Sequence, residues 1–242
     1  MVDSIEIWED EPRAGTFLIA KGFDRNHKKV LELVRKYEND FLDFGPLKGR
    51  KLRSTGGRAA NEIMLNEDQT MFLGTLLKNS KKVVEFKKLL VLKFGELRGK
   101  LEKIHSNKRK PEHIETRTAS KLARKTTTDA MKEFVEYAKS QGSNSADRYY
   151  ANITKMMNGL LFIVEGKFKN LREVMSITQL MTISSAEQII DRGLRDGMSR
   201  KKFYKDIFKD VKKRVMTFAD LHRKSKVIED YMKEDRNLMN EN

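Results

Sequence analysis

Two short runs of the chain combine residue types that hold or read nucleic acid. In the first, Arg25, Asn26, His27, Lys28 and Lys29 stand consecutively just before an apolar stripe at Val30, Leu31 and Val34. Arginine can present a bidentate fork to guanine and asparagine can do so to adenine, so Arg25 and Asn26 are the residues expected to select sequence. Lys28 and Lys29 offer compact charge suited to phosphate oxygens, which adds affinity and salt dependence without reading bases. His27 lies three and four residues before Val30 and Leu31, so it is expected to half-pack against the core or to donate to one phosphate. In the second run, Lys48, Arg50, Lys51, Arg53 and Arg58 place five cations within eleven residues, with no acid among them, around Gly56-Gly57. They read as contacts to phosphates or to the minor groove, where narrow A·T-rich tracts attract arginine.

Other chemistries find no such pattern. Cysteine is absent, and the four histidines at 27, 105, 113 and 222 lack the close spacing of metal ligands. There is neither a phosphate-cradling Gly-x-x-x-x-Gly-Lys loop nor a Gly-x-Ser-x-Gly elbow. The chain is therefore expected not to be an enzyme and to hold no cofactor or metal.

The elements that must position the first cluster are short helices. A strand around Ser4–Trp8 leads through Pro12 and Gly15 to Thr16, expected to cap a helical turn over Phe17–Ala20 that ends at Gly22. Asp24 is expected to cap a second helix, residues 24–37. With Val30, Leu31 and Val34 inward, its outer face carries Arg25, Lys28, Lys29, Glu32, Arg35 and Lys36. Two helices joined by a glycine turn make a helix-turn-helix, whose second helix enters the major groove. A hairpin over 47–65, tipped by Gly56-Gly57, follows in the position of a wing. A charged outer face is the default for any surface helix, and charges on an edge strand discourage pairing. It is the two features in one stretch that favour DNA.

Further along, Asn66 and Gln69 suggest a capping box for a helix over Glu67–Lys78, and Ser80 opens a long amphipathic helix whose end Gly95 and Gly99 are expected to loosen. The apolar content then falls, and Lys108-Arg109-Lys110-Pro111 marks 106–128 as a basic linker. Residues 129–226 read as a helical bundle: one helix through Ala138 stopped by Gly142, one over Tyr149–Leu160, a pattern beginning at Leu171, a fresh start at Ser185, and a last helix carrying Phe203, Ile207, Val211 and Val215. Lys201, Lys202, Lys205, Lys209, Lys212 and Lys213 flank that last stripe, as a second nucleic-acid surface or a solvated face. Residues 227–242 read as a polar tail.

At 242 residues and a net charge of +15, the chain suits two domains and a polyanionic partner: DNA, RNA or an anionic membrane. Aromatic residues are not interleaved with the basic hairpin, which disfavours RNA. No apolar window approaches a membrane span and the opening residues lack a signal-peptide pattern, so the expected location is the cytoplasm of a bacterial host, at the nucleoid, with no membrane partner.

The segment Ala20-Lys-Gly-Phe-Asp-Arg-Asn-His-Lys-Lys-Val-Leu-Glu-Leu-Val34, with Phe41 and Phe86-Lys-Lys-Leu-Leu-Val-Leu-Lys-Phe94, resembles the N-terminal domain of the bacteriophage Rha family of regulatory proteins. The resemblance covers about the first 100 residues, rests on His27, Lys28, Val30, Leu31, Phe86, Lys87 and Phe94, and implies a phage or prophage regulator that binds DNA. The second half is similar to helical extensions of phage antirepressor-like proteins. The expected fold is mainly α with an α+β N-terminal half: a winged helix-turn-helix domain at 1–105 followed by an all-α bundle. The expected function is sequence-specific binding of double-stranded DNA in transcription regulation, with the bundle for homodimerisation. The alternative is an antirepressor that engages a phage or host regulatory protein through the bundle.

Overall fold

The computed structural model describes residues 5–51 and 61–240, the side chains as far as Lys233. The chain is mainly α and divides into two compact units, residues 1–103 with 166–169, and residues 104–165 with 170–242.

The first unit opens on a hairpin that the sequence reading missed. Strand β1 (Ile5–Trp8) turns through Glu9 and Asp10, at φ 55° and 72°, into β2 (Glu11–Gly15), with Trp8 opposite Glu11. Two central residues at positive φ are the geometry of a two-residue hairpin loop, here built without the usual glycine or asparagine. Helices α1 (Thr16–Gly22), α2 (His27–Lys36) and α3 (Glu38–Leu42) follow. Strands β3 (Lys48–Lys51) and β4 (Asn61–Leu65) then pair antiparallel, Lys51 opposite Asn61. These are the arms of the expected hairpin. Its tip, with Arg53, Gly56-Gly57 and Arg58, lies outside the described residues.

Both expected caps around α1 and α2 are displaced. Asp24 sits at φ 56°, and the Arg25 and Asp24 N–H groups donate to the carbonyls of Ala20 and Lys21 at 2.8 and 3.2 Å. That is a left-handed closure of α1. A residue so used cannot also start α2, and the cap passes to Asn26, whose Oδ1 accepts from the Lys28 N–H at 2.8 Å. Thr16 is the first residue of α1 instead of its cap, with Gly15 ahead of it.

Helix α4 (Glu67–Thr75) has the Asn66/Gln69 capping box. Gln69 Nε2 also donates to the carbonyls of Phe41 and Gly45, which fixes the chain after α3. Helix α5 (Lys81–Asn107) runs unbroken through Gly95 and Gly99. Its buried residues Leu90, Phe94, Leu97 and Leu101 keep helical spacing past both glycines, and this burial outweighs their weak propensity. Gly22 has a different role: a Cβ there would fall within the ring of Phe86.

The 106–128 segment is helix, not linker. Helix α6 (Pro111–Ser140) spans most of it, with proline in the first turn. Its inward positions there include His113, Ser120 and Thr127. Burial of polar residues hid the helix from an apolar count. Next come α7 (Arg148–Leu161) and β5 (Phe162–Ile163), after which β6 (Gly166–Lys167) returns to the first unit and pairs parallel with β1. That completes a sheet of order β3-β4-β2-β1-β6. The first unit is thus discontinuous, unlike the contiguous 1–105 expected.

In the second unit, a 3-10 turn at Leu171–Val174 precedes α8 (Ile177–Ser199), which starts at a Ser176/Gln179 capping box. The expected start at Ser185 lies inside this helix, where the Ser185 hydroxyl donates to the Met181 carbonyl. Helix α9 (Tyr204–Asp220) packs on α8 where Gly193 and Gly197 face Val211 and Ile207. Strand β7 (Ser225–Lys226) pairs parallel with β5, so the unit is not all-α. Helix α10 (Val227–Asn240) replaces the polar tail. Its Val227, Ile228, Tyr231 and Met232 are buried, and Glu165 accepts the N–H groups of Ile228 and Glu229.

Candidate nucleic-acid interface

Helix α2 has two faces. Val30 and Val34 are buried, while Arg25, Asn26, Lys28, Lys29, Glu32, Arg35 and Lys36 are exposed. Among the described residues, Arg25, Lys28, Lys29 and Arg35 form no ion pair, and Lys36 lies over the Tyr37 ring at 5.2 Å. The structure therefore brings Arg25, Asn26, Lys28 and Lys29 together on solvent. The Asn26 amide nitrogen stays available, whereas its Oδ1 already serves the cap.

His27 turns the other way, into packing. Its Nε2 is 3.0 Å from Thr16 Oγ1 and its ring meets Phe17 edge-on at 5.4 Å between centroids. Thr16 Oγ1 also accepts the Ile63 N–H at 3.1 Å, which leaves its hydroxyl proton to donate to His27. One hydroxyl thereby links α1, the first residue of α2 and strand β4. Sequence reasoning missed Thr16 in this role because only the fold brings it to His27.

The hairpin arms divide. Lys51 is exposed on the edge strand. Arg50 is not a free cation: its guanidinium pairs with Glu6 and, at 2.7 Å, with Glu62, and lies over the Trp8 ring at 5.4 Å. Burial works to lower the Arg50 pKa, and the bonds and charges of Glu62 and Glu6 raise it above the ordinary value in spite of this. Buried Glu62 also accepts the Phe17 N–H at 3.1 Å, so the same carboxylate anchors the start of α1. Lys48 reaches Glu9 at 2.9 Å, and Glu9, held by Lys167 and Lys48, titrates at about 2. Arg50 and Lys48 thus brace the sheet. The cross-strand register of Arg50 on Glu62 was the missing signal, since both residues sit in the arms of a recognisable hairpin. Arg53 and Arg58 lie outside the described residues.

No cluster of three or more His, Asp or Glu suited to a metal ion occurs among the described residues, and no helix there is long and apolar enough to cross a membrane. Residues 15–99 match the family model of the phage regulatory protein Rha.

That segment is thus similar to the phage regulatory protein Rha. The Rha match begins at the end of β2 and reaches into α5, so it includes α2 and both hairpin arms but neither β1 nor β6. Most residues on which the sequence resemblance rests are structural in this segment: Val30 and Phe94 are buried, and Phe86 covers Gly22 and meets Phe23 edge-on at 5.2 Å. No curated protein and no solved structure matches the chain.

Proposed function

We propose that the Rha-like segment binds duplex DNA, with α2 in the major groove and the β3–β4 hairpin beside it as a wing, and that the protein regulates transcription from that site. The observation that carries this reading is a contrast within one unit. Arg13, Lys48 and Arg50 on the sheet are matched by Glu11, Glu9, Glu6 and Glu62, whereas the cations along α2 are exposed and without acidic partners among the described residues. A merely solvated surface has no need of that segregation, and unpaired cations on one helix face match a phosphate track. In this reading Arg25, ahead of the first turn, reads a guanine, and Lys28 and Lys29 hold phosphates. Asn26 keeps its cap and can add one donor bond to a base. His27 sets the pitch of α2 against the hairpin.

Selection of duplexes from a randomised pool by the full chain tests the reading. Enrichment of a common motif, lost with Arg25→Ala while affinity for unselected DNA is kept, is the expected result. A pool that stays random after repeated rounds rejects sequence-specific recognition.

A further inference from the structure

A second set of unpaired cations lies in the other unit. Helix α9 buries Tyr204, Ile207, Val211 and Val215, and one exposed flank of it carries Lys205, Lys209 and Lys212 at four- and three-residue steps. Lys201 and Lys202, in the turn before α9, continue the row, and all five are exposed. Only Lys209 has an acid near, Asp206 at 3.9 Å; the remaining four make no ion pair among the described residues. The arginines buried or half-buried between the helices of this unit are engaged instead, Arg117 by Glu173 and Arg124 and Arg172 by Glu187.

Two further details single out this row. Lys201 closes α8 at φ 51°, with the Lys202 N–H bonded to the Gly197 carbonyl at 3.1 Å. Glycine would hold that left-handed position at lower cost, and lysine is there instead. At the head of the row, Phe203 is 47% exposed with the Lys205 ammonium 5.9 Å from its ring. The charge is lysine throughout, which suits a diffuse phosphate contact and not the forked reading of a base.

We infer that the row from Lys201 to Lys212 is a second contact surface of this protein for the phosphate backbone of duplex DNA, one that adds affinity without adding sequence preference. The inference rests on the reading of the chain as a DNA-binding protein but on different residues, and its test separates the two.

The full chain, its Lys205→Gln/Lys209→Gln/Lys212→Gln variant and its Lys28→Ala/Lys29→Ala variant are titrated by fluorescence anisotropy onto a pool-selected duplex and a shuffled one, over roughly 50 to 300 mM salt. Each duplex phosphate contact contributes about 0.9 to the slope of log affinity against log salt, so the α9 variant should lose about 2 to 3 from that slope. The loss should be the same on both duplexes, with the preference between them intact and the melting temperature unchanged. An α9 variant that binds both duplexes like wild type, while the α2 variant is weakened, overturns the inference and leaves the α2 reading standing. Weakening by the α9 variant alone keeps the inference and removes α2 as the major-groove helix. A wild-type chain that binds neither duplex rejects both.

Discussion

Asn26 shows how one side chain can have two claims on it. Its Oδ1 caps α2, so Asn26→Ala should cost about 1 kcal/mol of stability in urea unfolding, typical of a lost N-cap. Asn26→Asp keeps a capping oxygen but loses the amide donor. It should melt like wild type and differ only in DNA preference; an equal stability loss in both variants would show that the cap is not what Asn26 supplies. Gly22 makes a steric claim: Gly22→Ala drives a methyl into Phe86 and should destabilise the first unit by about 1 to 3 kcal/mol, the usual range for overpacking. A neutral effect would mean that the ring moves freely. Fully buried Glu187 pairs with Arg172 and, at 3.4 Å, Arg124, and accepts nothing at Oε2. Burial pushes its carboxyl pKa up, and burial likewise lowers that of Arg172. Glu187→Ala leaves the arginines uncompensated and should cost about 3 to 5 kcal/mol by chemical denaturation. At this scale the exposed Arg25, Lys28 and Lys29 were legible because they fall on the face opposite Val30 and Val34. Arg50 was not, because its fate depends on Glu62, twelve residues away and across a strand pair.

Elements were legible where a local signal met no competitor. The Asn66/Gln69 box set the start of α4, whereas the same motif at Ser176/Gln179, which sets α8, was passed over for Ser185. Asp24 failed as a cap because closing α1 used the residue first. Helix α6 was hidden by buried polar residues; strand β1 was legible, but its pairing with β2 was hidden by a turn lacking glycine. Ion pairs link several elements, and two of them predict the response to acid. Glu9 joins the β1–β2 turn to Lys48 of β3 and Lys167 of β6, and Glu229 on α10 joins Lys226 and Lys233; both titrate at about 2, against 4.5 for a free glutamate. A depressed folded pKa contributes stability that is present above the unfolded value and fades as pH falls from about 4.5 towards 2. Thermal melts should therefore drop across that window more steeply in wild type than in Glu9→Gln. Identical slopes would show that the Glu9 contacts add nothing.

For the whole molecule, two units share one excess of positive charge, and in each a helix face keeps a row of exposed cations almost free of acids among the described residues, α2 in the first and α9 in the second. The net charge of +15 was legible at once, but which cations are spent on ion pairs was not, since that depends on the fold. The first unit borrows β6 from beyond residue 165, so a fragment of residues 1–105 lacks the Lys167 contacts to Glu9 and to Trp8. Trp8 is the single tryptophan, and its emission should lie further to the red in the fragment than in the full chain; coincident spectra would show that β6 leaves its surroundings unchanged. The central claim concerns α2, and the most direct measurement compares the full chain with Lys28→Glu/Lys29→Glu for binding to duplex DNA by fluorescence anisotropy at about 50 mM salt, where phosphate contacts weigh most. Tight binding by wild type and its near-complete loss on charge reversal, with both proteins equally folded, is the predicted result. Equal binding by the two would place the DNA contact somewhere other than α2 and contradict the account.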